Sequence, residues 1–192
     1  MIKRRHIQLK LKEDLLGTIP KNKDVYATFI ASKCADKGLA EEEVATVQSI
    51  EERGWTGFHQ DEEGFFIYDY AIKGFLCEAA RTIKTFGTLK QLQDKFKRYA
   101  FIRERRVRLP EPKAYLERPL RALTPMGPRV TVVRSDKVPA GTVLDFHLDI
   151  LDASGISEGC VKEVLSYGQF VGLGQWRTGS YGRFEVVKFE EV

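Results

Sequence analysis

The sequence predicts an α+β fold: one antiparallel, ferredoxin-like (RRM-like) sheet with helices on one face and an inserted helical segment. Three observations carry that expectation. Ile7, Leu9 and Leu11 alternate with Gln8, Lys10 and Lys12, the period of a half-buried strand. Phe75, Leu76, Ala79, Ala80 and Ile83 form one stripe at helical spacing between Lys73 and Phe86. Leu144, Phe146, Leu148 and Ile150 face one way, while Asp145, His147 and Asp149 face the other, which makes this the clearest strand in the chain. Strand, crossover helix, antiparallel strands, second helix and closing strand is the order of a split βαβ unit. A single domain over 1–192 is expected, with the helical insertion at about 22–66.

The elements follow in order. After the first strand, Leu15-Leu16-Gly17 leads to a turn at Pro20-Lys21-Asn22. From Asp24, Val25, Phe29 and Ile30 have helical spacing, and Gly38 is expected to end that helix. Leu39, Val44, Val47 and Ile50 suggest a second, acidic helix closed by Gly54. Trp55 to Phe66 reads as a short hairpin or loop around Asp61-Glu62-Glu63-Gly64, and the long helix that follows stops at Gly87. Leu89, Leu92 and Phe96 suggest another short helix. Phe101 to Leu109 is expected as an arginine-rich strand, and Val130 to Val133 as a short one. Pro139-Ala140-Gly141 is a turn. Val161, Val164 and Leu165 give a helix with Gly168 as its left-handed C-terminal cap, and Phe184 to Phe189 is the last strand.

Composition narrows the function classes. The 192 residues are 43% hydrophobic and 30% charged, which excludes a disordered or fibrous chain. No window approaches 18 consecutive apolar residues, so no membrane span is expected. The basic N-terminus is not followed by an apolar h-region, so a cytoplasmic location is expected rather than secretion. Cys34, Cys77 and Cys160 are odd in number and lack CxxC spacing, which points to no disulfide framework, no metal site and no cofactor.

The formal charge is only +4, but it is unevenly distributed. From Arg81 to Arg121 there are thirteen basic residues against four acidic ones, Asp94, Glu104, Glu111 and Glu117. Glu41, Glu42, Glu43, Glu51, Glu52, Asp61, Glu62 and Glu63 make an acidic stretch upstream. Either run can be a solvated face that keeps the chain soluble. A concentrated basic segment also suits a polyanion, whose phosphates release counterions when contacted. Arginine dominates between 98 and 121, as bidentate phosphate contacts favour.

The most informative stretch is Gly172-Leu173-Gly174-Gln175-Trp176-Arg177-Thr178-Gly179-Ser180-Tyr181-Gly182-Arg183-Phe184. It follows a helix and opens a strand, the reverse of a dinucleotide fingerprint, and it lacks the Gly-Lys-Ser/Thr of a P-loop. Its glycines can serve a tight connection. They can also expose amides as an anion cradle at Gly172, Gly174, Gly179 and Gly182, with Arg177 and Arg183 adding charge and Trp176 and Tyr181 offering stacking faces.

This loop resembles the C-terminal glycine-rich loop of the RAMP superfamily, the RNA-binding ferredoxin-like proteins of CRISPR effector complexes. Tyr68-Asp69-Tyr70-Ala71-Ile72-Lys73-Gly74-Phe75-Leu76 is similar to the I-P-G-S-S-L-K-G-x-L-R segment of backbone-type members, where a loop turns into the first helix. Leu15-Leu16-Gly17 resembles their opening motif, and Val138-Pro139-Ala140-Gly141-Thr142 the L-P-x-G-T-x-F stretch that begins a later strand. The matches occur in family order over nearly the whole chain. The chain is also similar to small uncharacterised proteins encoded by phages and prophages. The resemblance implies a modified RAMP fold that grips RNA through the glycine loop, the helix start and basic strand faces. Two departures stand out: the family's Ser-Ser is Tyr70-Ala71 here, and its following arginine is Cys77. Asp24, Asp36 and Asp61 lie where some members carry a cutting aspartate, but none has a matching context, so cleavage is not carried over.

The leading expectation is therefore a non-catalytic protein that binds single-stranded RNA or DNA. Its site residues are Lys73, Arg103, Arg105, Arg106, Arg108, Gly172, Gly174, Trp176, Arg177, Gly179, Tyr181, Gly182 and Arg183. One alternative is a metal-independent endoribonuclease with His59 as general base and Lys73 or Arg177 as its partner. His6 reads as an exposed residue of the basic N-terminus and His147 as a cross-strand partner on a polar face. Another alternative is an interaction module that self-associates, or that takes a subunit's place in a CRISPR-type complex.

Overall fold

The computed structural model describes residues 2–31, 37–47, 54–124 and 127–192. Cys34, Asp36, Ile50, Glu51 and Glu52 lie outside the described residues. In chain order the strands are β1 (Ile2–Leu11), β2 (Leu15–Leu16), β3 (Ile19–Pro20), β4 (Trp55–Gly57), β5 (His59–Asp61), β6 (Gly64–Tyr68), β7 (Ala100–Ile102), β8 (Arg106–Leu109), β9 (Ala114–Thr124), β10 (Gly127–Val138), β11 (Val143–Leu151) and β12 (Phe184–Glu191). The helices are α1 (Lys23–Ala31), α2 (Lys37–Ala45), α3 (Asp69–Ile83), α4 (Leu92–Tyr99) and α5 (Glu158–Ser166). The fold is α+β. The chain divides into two compact units, the first formed by residues 1–15, 67–109 and 139–192, the second by 16–66 and 110–138.

The first unit is built on a four-stranded antiparallel sheet in the order β12-β1-β11-β7. Alternation in β1 and β11 turns Ile7, Leu9, Leu11, Leu144, Phe146, Leu148 and Ile150 inward, all buried. They meet Ile72, Phe75, Leu76, Ala79 and Ala80 of α3 and Val161, Val164 and Leu165 of α5, each also buried. Phe75 closes on Phe184 edge to face at 4.9 Å. Full burial of one such side chain contributes about 1.5–3 kcal/mol, so this face organises the unit.

The opposite face of β1 and β11 is a polar ladder. His6 lies opposite His147 in register, and their rings stack at 4.8 Å, so His147 is a cross-strand partner. Arg4 donates to Asp149 at 2.7 Å, and Asp145 accepts from His6 at 2.8 Å and from Gln8 at 2.6 Å. Burial pushes the Asp145 carboxyl up, but the hydrogen bonds of Gln8 and His6 and the nearby imidazoles outweigh it and hold Asp145 below its ordinary 3.8. A depressed folded-state pKa contributes stability above the unfolded value that is lost as pH falls through the folded one. Gln8→Leu should therefore be less stable than wild type at pH 6, with the gap closing as pH drops from 4 toward 2. Urea midpoints at each pH check this; a gap that stays constant contradicts it.

The expected strand over 101–109 is broken into β7 and β8. Glu104 turns its carboxylate onto β11, accepting the His147 amide at 2.7 Å and Nδ1 at 2.6 Å, and Arg103 donates its amide to the His147 carbonyl at 3.0 Å. A side chain thus replaces the ladder at that point. Gly168 is not a left-handed cap. It lies in the 3₁₀ turn Tyr167–Gln169, and a Cβ there would come within 2.3 Å of the Phe184 ring, so close packing selects glycine.

The second unit centres on the long antiparallel hairpin β9–β10, with β4 parallel to β10 and β3 antiparallel to β4. β5 and β6 form the expected hairpin, pairing His59 with Phe66 and Asp61 with Gly64. The segment expected as a helical insertion holds α1 and α2 together with β4, β5 and the start of β6. Gly38 belongs to α2 rather than ending the first helix. Tyr26, Phe58, Phe65, Phe66 and Val138 are buried here.

Candidate nucleic-acid interface

The start of α3 carries the best-formed platform. Tyr68 precedes the first turn in extended conformation and Tyr70 follows inside it, so two residues that would diverge within a helix stack at 5.3 Å. Arg105, in the turn between β7 and β8, lays its guanidinium 4.5 Å from the Tyr68 ring and 5.6 Å from that of Tyr70. Asp69 fixes the fork through a 2.6 Å bond to Arg105 Nη1, and the Asp69 amide donates to the Arg105 carbonyl at 3.1 Å. Tyr68 is buried, whereas Tyr70 is 43% exposed. The result is a rigid, half-open ring beside a fixed cation, the pairing on which unpaired bases stack. Charge counting selects Arg105 but misses Tyr70 and Asp69. Their signal is an aromatic pair spaced by two at the point where strand becomes helix.

The other basic candidates divide. Val107 and Leu109 of β8 point inward, so alternation turns Arg106 and Arg108 to the other side, Arg106 half-buried and Arg108 exposed. Arg103 is exposed in the turn. Lys73 is engaged internally: Nζ donates to the carbonyl of Phe96 at 2.6 Å and to that of Ala100, and lies over the Phe101 ring at 4.7 Å. The Phe96 carbonyl, which also accepts the Ala100 amide, ends α4 and the Ala100 carbonyl opens β7, so Lys73 ties that junction together instead of meeting phosphate. Burial lowers its pKa, against the opposing influence of Cys77 and Asp69. The basic run itself is shared between units, with residues up to 109 in the first and the remainder in the second.

The glycine-rich loop is folded back on itself. Leu173 donates its amide to the Gly182 carbonyl, Gly182 to the carbonyl of Asp14, Gly179 to that of Trp176 and Ser180 to that of Arg177, all at 2.9–3.0 Å. Gly172 and Gly182 lie in contact; a Cβ on Gly172 would reach 2.1 Å from the Gly182 carbonyl carbon. Of the four glycine amides expected as a cradle, those of Gly179 and Gly182 are thus committed to closing the loop. Arg177 is bound to Glu78 of α3 at 2.5 Å, while the buried Arg183 Nε has no hydrogen-bond partner among the described residues. Gly174 has positive φ. Trp176 sits at φ 54°, an unfavourable backbone for a bulky residue. Its ring stacks on Tyr181 at 5.1 Å and rests on Gly179, where a Cβ would come within 2.7 Å of the indole, yet it stays 39% exposed. What the loop presents is a propped indole face.

His59 does not stand at a reactive surface. It is 2% exposed, bonded through Nδ1 to the Thr46 hydroxyl at 2.7 Å and stacked on Phe66 at 5.6 Å. A general base must touch the hydroxyl it activates, which this burial prevents. Among the described residues no group of three or more His, Cys, Asp or Glu side chains could hold a metal ion. No described helix is long and apolar enough to cross a membrane.

No protein-family profile and no curated protein matches the chain. Among solved structures it is similar to a chain of the cryo-EM structure of the Type III-B Cmr-beta bound to cognate target RNA, with a TM-score of 0.56 and 11% identity. The match covers 100% of this chain and 61% of that one, so the chain spans less than two thirds of its neighbour's length. At this identity the likeness is one of fold. The resemblance carried by the sequence motifs agrees with it at that level: the fold is similar to that of a chain in an RNA-bound Type III-B structure.

Proposed function

We propose that this protein binds single-stranded RNA without cleaving it, as a RAMP-like component of a CRISPR-type complex. The observation that carries the reading is the Tyr68–Tyr70–Arg105 platform at the start of α3, where a guanidinium held by Asp69 lies against an exposed ring. Arg103, Arg106 and Arg108 extend it as phosphate contacts, and the Trp176–Tyr181 stack supplies a second base-stacking face. The fold likeness to a chain of an RNA-bound Type III-B structure supports RNA over DNA. The burial of His59 supports binding without catalysis.

Tyr70→Ala with Arg105→Ala should weaken binding of a single-stranded RNA at least tenfold, with the thermal midpoint little changed, because both side chains are exposed. Filter binding beside circular dichroism checks this; equal affinity of variant and wild type contradicts it. A contact with a protein is favoured by one further observation: Val130 and Val132 alternate onto one face of β10 and are 63% and 55% exposed. Self-association or a partner subunit would cover them, and light scattering with and without RNA separates the two.

A further inference from the structure

The second unit contains a cleft of about 240 Å³ between β4, the start of β9 and the irregular stretch that precedes β9. At its floor Lys21 and Asp136 form an ion pair at 2.5 Å, each side chain more than nine-tenths buried. Both Asp136 oxygens are engaged, since the other accepts from Trp55 Nε1 at 2.7 Å. Lys21 is not. An ammonium has three donors, and among the described residues only Asp136 accepts from this one, while its charge lies 4.6 Å from the Trp55 ring. A buried ammonium with donors to spare is costly unless an acceptor arrives from outside.

The walls fit a flat acceptor. Trp55 is fixed by Asp136 and Lys21, and Tyr115 leans toward it at 5.4 Å with the rings tilted by 56°, a wedge rather than a closed stack. Tyr115 is 50% exposed, and the Arg134 guanidinium lies 5.7 Å from its ring and 5.5 Å from that of Trp55, which leaves exposed ring surface for an inserted base. Lys113 and Glu111 stand among the lining residues. The volume falls below the roughly 300–1,000 Å³ of sites for drug-sized ligands, so one heterocycle fits better than a whole nucleotide.

We propose that this cleft captures one unpaired nucleobase turned out of a strand, stacked on Tyr115 and bonded through a ring carbonyl or ring nitrogen to Lys21. The inference rests on the RNA-binding reading above and adds a site that is independent of the α3 platform. The test compares wild type and Tyr115→Ala on a single-stranded RNA and on an abasic strand of equal length and charge. The expected result is a loss of about tenfold for Tyr115→Ala on the base-bearing strand and no change on the abasic one. Unchanged affinity on the base-bearing strand overturns the inference while leaving the RNA reading intact. Failure of the wild type to bind either strand overturns both. A titration with free nucleoside monophosphates separates sources: saturation by the mononucleotide as tight as by the strand assigns the cleft to a free nucleotide and overturns the strand-base assignment.

Discussion

Gly182→Ala is expected to destabilise the first unit by roughly 2–5 kcal/mol, a large part of the ~5–15 kcal/mol that holds an ordinary domain together. Two costs combine. Gly182 has φ +70°, where a side chain adds about 1–2 kcal/mol. A Cβ would also lie 1.9 Å from the Leu173 carbonyl oxygen, an overlap with backbone that relaxes only if the loop opens, at about 1–3 kcal/mol or more. Opening the loop breaks the Leu173 amide to Gly182 carbonyl bond and the Gly182 amide to Asp14 carbonyl bond. Gly141→Ala is the control, since φ is +87° there but nothing lies within 4 Å of the new atom. Its cost should stay near 1–2 kcal/mol. Urea unfolding of the two variants checks this; equal losses contradict the close packing of the loop.

Asp136→Ala should cost the second unit about 3–5 kcal/mol, because it strands the buried Lys21 ammonium and removes the acceptor of the Trp55 indole. Removing one partner of a buried pair is worse than removing both. Lys21→Met combined with Asp136→Leu should therefore recover part of the loss, a non-additivity expected of groups in direct contact. Unfolding followed by Trp55 fluorescence in a Trp176→Phe background reads the second unit. A loss below about 1 kcal/mol for Asp136→Ala would show the pair to be water-exposed instead.

What the sequence disclosed follows from what each element buries. β1, β11 and α3 were legible because one face of each is packed and the other wet, which writes the period into the residues. The β9–β10 hairpin was not. Only Val130 to Val133 stood out, since Arg118, Arg121, Glu117 and Arg134 interrupt any alternation. Pro119 suits β9 as an edge strand but argues against a strand on sequence alone. The break at Arg103 to Arg105 depends on Glu104 reaching a strand more than forty residues away, which no local pattern records.

The candidate site was legible in part for the same reason. Arginine enrichment includes Arg105, and the helix-opening segment includes Tyr68, Asp69 and Tyr70, which the structure packs against it. Lys73 was misassigned because its acceptors, the carbonyls at the junction of α4 and β7, are visible only in three dimensions. The glycine loop stands out in the sequence, but its glycines answer to steric demands at Trp176, Leu173 and Gly182, which a pattern of residues does not separate from those of a ligand.

The most direct test of RNA binding is the salt dependence of affinity for a single-stranded RNA. Phosphate contacts by Arg103, Arg106 and Arg108 predict a slope of log K against log salt of about −2, at roughly −0.7 per contact. A slope near that value, reduced in magnitude by about 1.4 when Arg106 and Arg108 are both replaced by alanine, is the predicted result. A flat dependence, or no measurable binding at low salt, would contradict the account.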